Sequence, residues 1–268
     1  MCGEKPITEQ TDKLSDEPTR RAPFRFDIAT LFPAMCEAVV NESITGRAIR
    51  AGAIACYCHD IRDYTQDKHR RVDDSPYGGG MGMVMQAEPI YRCFLAVAAS
   101  LPRRPRVIYL SPQGQRLTQA KAVSLSQSES SLFLLCGHYE GVDRRVLDKI
   151  VDEEISIGDY VLTGGELPAL VLVDAVARMC AGVLPSEECF ERESHYAGLL
   201  EHPQFTRPPE WEGMAVPEVL LSGHHANIEK WRREQMLKET YEKRRDMLLG
   251  VTLDKHDQAY LRRLSEQE

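Results

Sequence analysis

SLFLLCGHYEG, residues 131–141, is the stretch that decides the fold class. Residues 131–136 are almost wholly apolar, without the alternation of a strand that has one wet face, and the run stops at Gly137. A short apolar run closed by glycine reads as a strand covered on both sides. RVIYLSPQG (106–114) has the same form, and helical spacing from Thr118 to about Gln127 separates the two. On the other side VDEEISIGDY (151–160) reads as a strand entering a loop, followed by ELPALVLVDAVARMCAG (166–182), a helix apolar on most faces. Further out, FRFDIATLF (24–32) and AIACYCHDI (53–61) read as strands. Residues 34–43 and 45–52 between them have helical spacing, and a helix is predicted from about Glu88 to Ser100. Strands alternating with helices predict an α/β domain built on a parallel sheet.

The flanks read differently. Residues 1–22 are charged and lack an apolar run, so they read as a disordered tail and not as a secretory signal. Residues 184–197 lose periodicity and gain acid, as an interdomain linker would. The last segment is helical: AVPEVL (215–220), then 225–250, then a short helix to the C-terminus.

Composition excludes several classes. With 43% hydrophobic and 28% charged residues, the chain is not disordered throughout. Its most apolar stretch, Leu167 to Ala177, is about half of what a bilayer needs and contains Asp174, so no membrane association is expected. A net charge of −8 excludes a nucleic-acid binder driven by bulk charge, though not one using local basic patches. The eight cysteines form no Cys-x-x-Cys pair, which excludes a zinc ribbon or a thioredoxin motif. Cys36, Cys136 and Cys180 sit among apolar residues and read as reduced core residues of a cytoplasmic protein.

Several segments can carry chemistry. PYGGGMGM (76–83) holds four glycines within 78–82. Glycine costs folding entropy, so the cluster serves either a tight turn or close approach to a ligand. It is not a Walker loop, because no Gly-Lys-Ser/Thr follows, and Met85 stands where a dinucleotide motif needs its third glycine. LSPQG (110–114), CGHYEG (136–141) and SIGDYVLTGGE (156–166) each end a strand. Ligands of open parallel sheets bind beyond the carboxyl ends of strands. Three such turns would form one pocket, with Leu110, Ile157, Tyr160 and Leu162 as apolar walls for a flat heterocycle. Arg178, on the apolar helix, must face solvent, a carboxylate or a ligand. Glu191 and Glu193 read as solvated charge, and the basic clusters at 68–71, 103–106, 232–233 and 243–245 as solvated faces. Trp231 beside Arg232 and Arg233 combines stacking with charge, as RNA-binding surfaces do.

TLFP (30–33), ITGRAIRAG (44–52), HRRVDDSPYGGGMGM (69–83), YLSPQG (109–114), CGHYEG (136–141), SIGDYVLTGGELPA (156–169), DAVAR (174–178), HPQFTRP (202–208) and SGHHANIEKWRR (222–233) occur together and in this order. The set closely resembles the bacterial tRNA (guanine-N1)-methyltransferases of the SPOUT superfamily, from about Phe24 to Gly250. The resemblance implies a parallel-sheet domain with a deep trefoil knot over 23–183, a flexible linker over 184–197 and a small helical tRNA-binding domain over 198–268. General topology rules exclude knots, so that expectation comes from the resemblance alone. It further implies S-adenosylmethionine as cofactor, the N1 atom of guanosine 37 of tRNA as target, and a homodimer with each site at the interface. The cofactor contacts carried over are Tyr109, Leu110, Ser111 and Pro112, then Gly137, Tyr139, Glu140 and Gly141. The third loop adds Ser156, Ile157, Gly158, Tyr160, Val161, Leu162, Gly164 and Gly165. Magnesium is raised as a second cofactor, with no metal ligand assigned.

Methyl transfer to guanine N1 needs a base for the ring proton and a cation for the charge that develops on the carbonyl oxygen. By resemblance the cation is Arg178. The base is an aspartate in the family's linker, and that position holds Glu193 here. Glutamate keeps the carboxylate but moves it one methylene outward; Glu191 and Asp74 are the substitutes. Competing readings are a ribose 2′-O-methyltransferase, an RNA-binding module that has lost catalysis, and a nucleotide-phosphate enzyme using PYGGGMG as an anion nest.

Overall fold

The apolar run at 131–136 occupies the middle of a five-stranded sheet. The computed structural model describes residues 22–186, 188–191 and 193–266; the tail expected over 1–22 lies almost wholly outside them. In chain order come β1 (Phe24–Thr30), α1 (Pro33–Val40), α2 (Ser43–Arg50) and β2 (Ile54–Asp60). A two-residue antiparallel pair, β3 (Asp73–Asp74) and β4 (Val84–Met85), brackets the glycine-rich loop. Then follow α3 (Ala87–Ala99), β5 (Arg106–Arg116), α4 (Gln119–Ser128), β6 (Ser131–Cys136), α5 (Arg144–Ile150), β7 (Glu153–Ser156) and α6 (Glu166–Ala177).

The order β2-β1-β6-β5-β7 is parallel throughout. Side chains alternate across the strands, and both faces are apolar. Phe26, Ile28, Ile108, Leu110, Leu132 and Leu134 pack under α1, α2, α4 and α6. Ala29, Val107, Tyr109, Phe133 and Leu135 pack under α3 and α5. Two-sided burial is why these strands read as continuous apolar runs.

Several details depart from the sequence reading. β5 runs on to Arg116: its first half pairs with β7 at Ile108–Leu110, and after a register shift Gln115 and Arg116 pair with β7 again. Residues 111–114 therefore bulge out beside β7, and Gly114 is needed there, because a Cβ would lie 2.5 Å from Glu154 O and Ile155 N. β7 is only four residues long, and α6 gives out at Ala177, with Arg178 as its C-cap. α5 was not foreseen, since RRVLDKI carries too few apolar positions to stand out.

Past 183 come α7 (Glu188–Glu191), an antiparallel pair β8 (Glu210–Trp211) and β9 (Met214–Ala215), α8 (Glu218–Leu221), α9 (His225–Lys243) and α10 (Lys255–Ser265). Leu199, Met236 and Leu237 form a separate small core closed by Leu248, Val251 and Leu261. α9 stops at Lys243, short of Gly250, because Arg244 leaves helical dihedrals and a 3-10 turn, Arg245–Gly250, folds Leu248 back onto that core. An Asp254–Asp257 capping box starts α10, and Arg233 ties Asp257 to α9 at 2.6 Å.

Candidate active site

The carboxyl ends of β5, β6 and β7 open into one cavity of about 420 Å³, within the range of small-molecule sites, roughly 300–1,000 Å³. The three turns line it together. Tyr109, Leu110, Ser111 and Pro112 come from the β5 bulge, and Gly137, Tyr139, Glu140 and Gly141 follow β6. Ser156, Ile157, Gly158, Tyr160, Val161, Leu162, Gly164 and Gly165 lie between β7 and α6. Leu110, Ile157, Tyr160 and Leu162 supply apolar surface among backbone amides and carbonyls, as a flat, polar-edged heterocycle would need.

Two glycines explain how the loops come so close. A Cβ on Gly137 would meet the Tyr109 hydroxyl at 2.8 Å. A Cβ on Gly165 would lie 2.7 Å from Cys136 Cα and 2.9 Å from Gly137 N, and backbone cannot swing away. Gly165 N also donates to Gly137 O at 2.8 Å, clipping the third loop to the end of β6. The glycine-rich loop joins the same assembly. Glu140 N donates to Met83 O and Met85 N to Gly141 O, so residues 83–85 run along the 137–141 turn. Burial pushes the Tyr109 phenol up, and the charge of Glu154 adds to it, so the ring enters the cavity wall protonated.

Arg178 and Glu193 are brought together away from the cavity lining. Arg178 Nη2 donates to both carboxylate oxygens of Glu193 at 2.6 Å, and both side chains stay about one-third exposed, at 33% and 37%. Arg178 Nε is buried without a partner. The sequence left Arg178 a choice of solvent, carboxylate or ligand; in this state it takes the carboxylate. Of the two substitutes, Asp74 is exposed in β3 and its carboxylate accepts from Ser75 N at 2.8 Å, while the Glu191 side chain lies outside what is described.

Three polar residues carried no signal in the sequence: Thr30 and Glu166 behind the cavity and His138 in its wall. Glu166, at the start of α6, is only 4% exposed. Its Oε1 accepts from the buried Thr30 hydroxyl at 2.7 Å, and Thr30 Oγ1 accepts from Phe32 N at 2.9 Å. His138 lines the cavity. A buried carboxylate beside GG looks in sequence like an ordinary acidic first helical turn, which is why it carried no signal. Thr30→Val removes the hydroxyl that satisfies Glu166. The loss expected is about 1–3 kcal/mol, the cost of a buried polar group left unpaired; urea unfolding of the variant checks it.

The basic clusters are mostly neutralised. Arg70 pairs with Asp63, Arg71 with Asp67, Arg104 with Asp152, Arg106 with Glu153, Arg232 with Glu229 and Arg233 with Asp257. Trp231 packs with His202 and Phe205, ring centroids 6.2 Å away in each case.

Residues 24–250 match the family described as tRNA (guanine-1)-methyltransferase TrmD. The chain is 56% identical over 223 residues to a tRNA (guanine-N(1)-)-methyltransferase of Ruminiclostridium cellulolyticum, covering 83% of this chain and 95% of that one. A protein of the same name from Alkaliphilus oremlandii is 49% identical over 246 residues, covering 90% and 98%. One from Chloroflexus aggregans is 56% identical over 225 residues, covering 84% and 87%. With three strand-end turns meeting in one cavity and a family match across most of its length, this chain belongs to the tRNA (guanine-N1)-methyltransferase family.

Proposed function

We propose that the protein transfers a methyl group from S-adenosylmethionine to N1 of guanosine 37 of tRNA, as a cytoplasmic homodimer. The observation that carries this reading is the convergence of the three turns on a single cavity of the right size, walled by apolar side chains and edged with backbone polar groups. The sixteen cofactor contacts implied by resemblance all lie in that lining. We read residues 23–183 as the cofactor domain, with its strand-end loops threaded in a trefoil knot. Residues 184–197 are the linker and 198–268 the tRNA-binding domain.

S-adenosylmethionine supplies a sulfonium methyl, whose transfer to N1 leaves a neutral thioether. The chain's own groups handle the proton and the charge. Glu193 takes the N1 proton as general base. Arg178 donates to the guanine carbonyl oxygen, where negative charge gathers as that proton leaves. Both Glu193 oxygens are committed to Arg178 in the state described, so the pair must open before either group works. Entry of the guanine between them gives each a new partner. Magnesium is assigned no residue: the one converging trio among the described residues, Asp254, His256 and Asp257, is far along the chain and holds Asp257 in the capping box and the Arg233 pair.

Incubating tRNA with S-adenosylmethionine and the protein, then digesting it to nucleosides, tests the reaction. 1-Methylguanosine must appear with guanosine at position 37 and vanish when that base is replaced. Cofactor binding without turnover would favour the RNA-binding reading.

The homodimer is supported by an apolar strip. α1 and α6 pack on the same sheet face, and beside them Phe32, Met35 and Val39 and then Leu167 and Val171 stay exposed. Such a strip marks an interface. Among the described residues no helix is long and apolar enough to cross a membrane. Sedimentation at micromolar concentration is expected to give a dimer, and Val39→Glu combined with Val171→Glu a monomer; an active wild-type monomer would overturn the assignment.

A further inference from the structure

His138 Nδ1 is buried and has no hydrogen-bond partner, an arrangement that costs free energy unless the group has work to do. Its ring is wedged between Phe32, at 5.1 Å, and Tyr139, at 4.8 Å and edge-on, so it cannot turn freely. A carboxylate stands behind the ring. A Cβ on Gly164 would collide with Glu166 Oε2 and would lie 2.7 Å from His138 Nδ1, so the carboxylate oxygen and the ring nitrogen flank one point that only a glycine leaves open. Thr30 occupies Oε1 alone, leaving Oε2 for the imidazole. Closing this gap would make a carboxylate–imidazole dyad, with Nδ1–H donating to Oε2 and Nε2 left for the cavity that His138 lines.

We propose that His138, held by Glu166, binds the carboxylate of the cofactor's amino-acid tail through Nε2–H. The assignment rests on the cofactor reading above. The rest of the lining leaves this role open. Its other cation, Arg144, is exposed and bonded to Asp148 at 2.6 Å. Its carboxylates, Glu140 and Glu154, suit the tail's ammonium and repel its carboxylate. Donation from both ring nitrogens gives one hydrogen bond to Glu166 and the other to the ligand. Glu166 is a positioning residue in this scheme, and Gly164 is a glycine so that nothing separates the two.

Calorimetric titration with S-adenosylmethionine and with its decarboxylated analogue isolates the tail carboxylate. A charge-assisted hydrogen bond corresponds to about tenfold or more in affinity. His138→Gln and Glu166→Gln are each expected to lose about that factor for S-adenosylmethionine and to bind the decarboxylated compound like the wild type. His138→Arg, which restores a cation, is expected to recover the preference. Equal losses for both ligands would show a merely structural role, and unchanged affinity for both would show none; either overturns the assignment while leaving the cofactor reading standing. Failure of the wild type to bind both ligands would remove the two together.

Discussion

Glu193→Gln is expected to lower the single-turnover methylation rate by about 10²–10⁴, the usual range for a lost general base, while S-adenosylmethionine binds as before. Glutamine keeps the shape and can still accept from Arg178, but it cannot take the N1 proton. Arg178→Ala is expected to cost at least about a hundredfold, comparable to removing one donor from an oxyanion site. Neither residue lines the cavity, which is why cofactor affinity is the control. Because the two side chains are bonded to each other and are proposed to act on one base, the double variant is expected to fall little below the worse single one. Glu193→Asp installs the aspartate that the resemblance implies at this position and is expected to keep substantial activity. The experiment is quenched-flow methylation of a saturating tRNA. Wild-type turnover by Glu193→Gln would place the base elsewhere, with Glu191 and Asp74 tested next.

The second large effect is expected at Gly165. Gly165→Val should abolish measurable S-adenosylmethionine binding, and Gly165→Ala should weaken it by about a hundredfold, the scale of a displacement near 1 Å in a site. The cause is inside the protein. The glycine has an ordinary φ of −84°, so conformational freedom is not what it supplies. Its missing Cβ lets the loop lie against Cys136 Cα and Gly137 N. Any side chain drives the third loop off the end of β6 and breaks the clip from Gly165 N to Gly137 O. Both walls of the cavity then move apart at once. Circular dichroism should still report a folded chain, because the sheet core lies beneath this contact. Unchanged affinity by calorimetry would remove the third loop from the site.

What the sequence by itself determined is what local chemistry can write. A strand covered on both faces must be apolar at nearly every position, so 107–110 and 132–136 announced themselves and pointed to a parallel sheet. Glycines at strand ends have few other uses, so the three turns were legible as one site, and the ordered motifs carried the family. RRVLDKI did not stand out as α5, because a one-face helix of seven residues shows too few apolar positions for a period to be counted. No glycine or proline marks the end of α9; the 3-10 turn after Lys243 goes with Leu248 packing on the core of Leu199, Met236 and Leu237. The order β2-β1-β6-β5-β7 was beyond reach as well, since pairing partners are chosen between segments as far apart as Arg25 and Ser131. Only the tertiary structure decided which polar groups meet. Arg178 and Glu193 stand 15 positions apart, and Thr30 and Glu166 stand 136 apart. A charge in a sequence looks the same whether it faces water, a counter-ion or a buried hydroxyl, and what separates those cases is the folded surroundings that set the cost of leaving it unpaired.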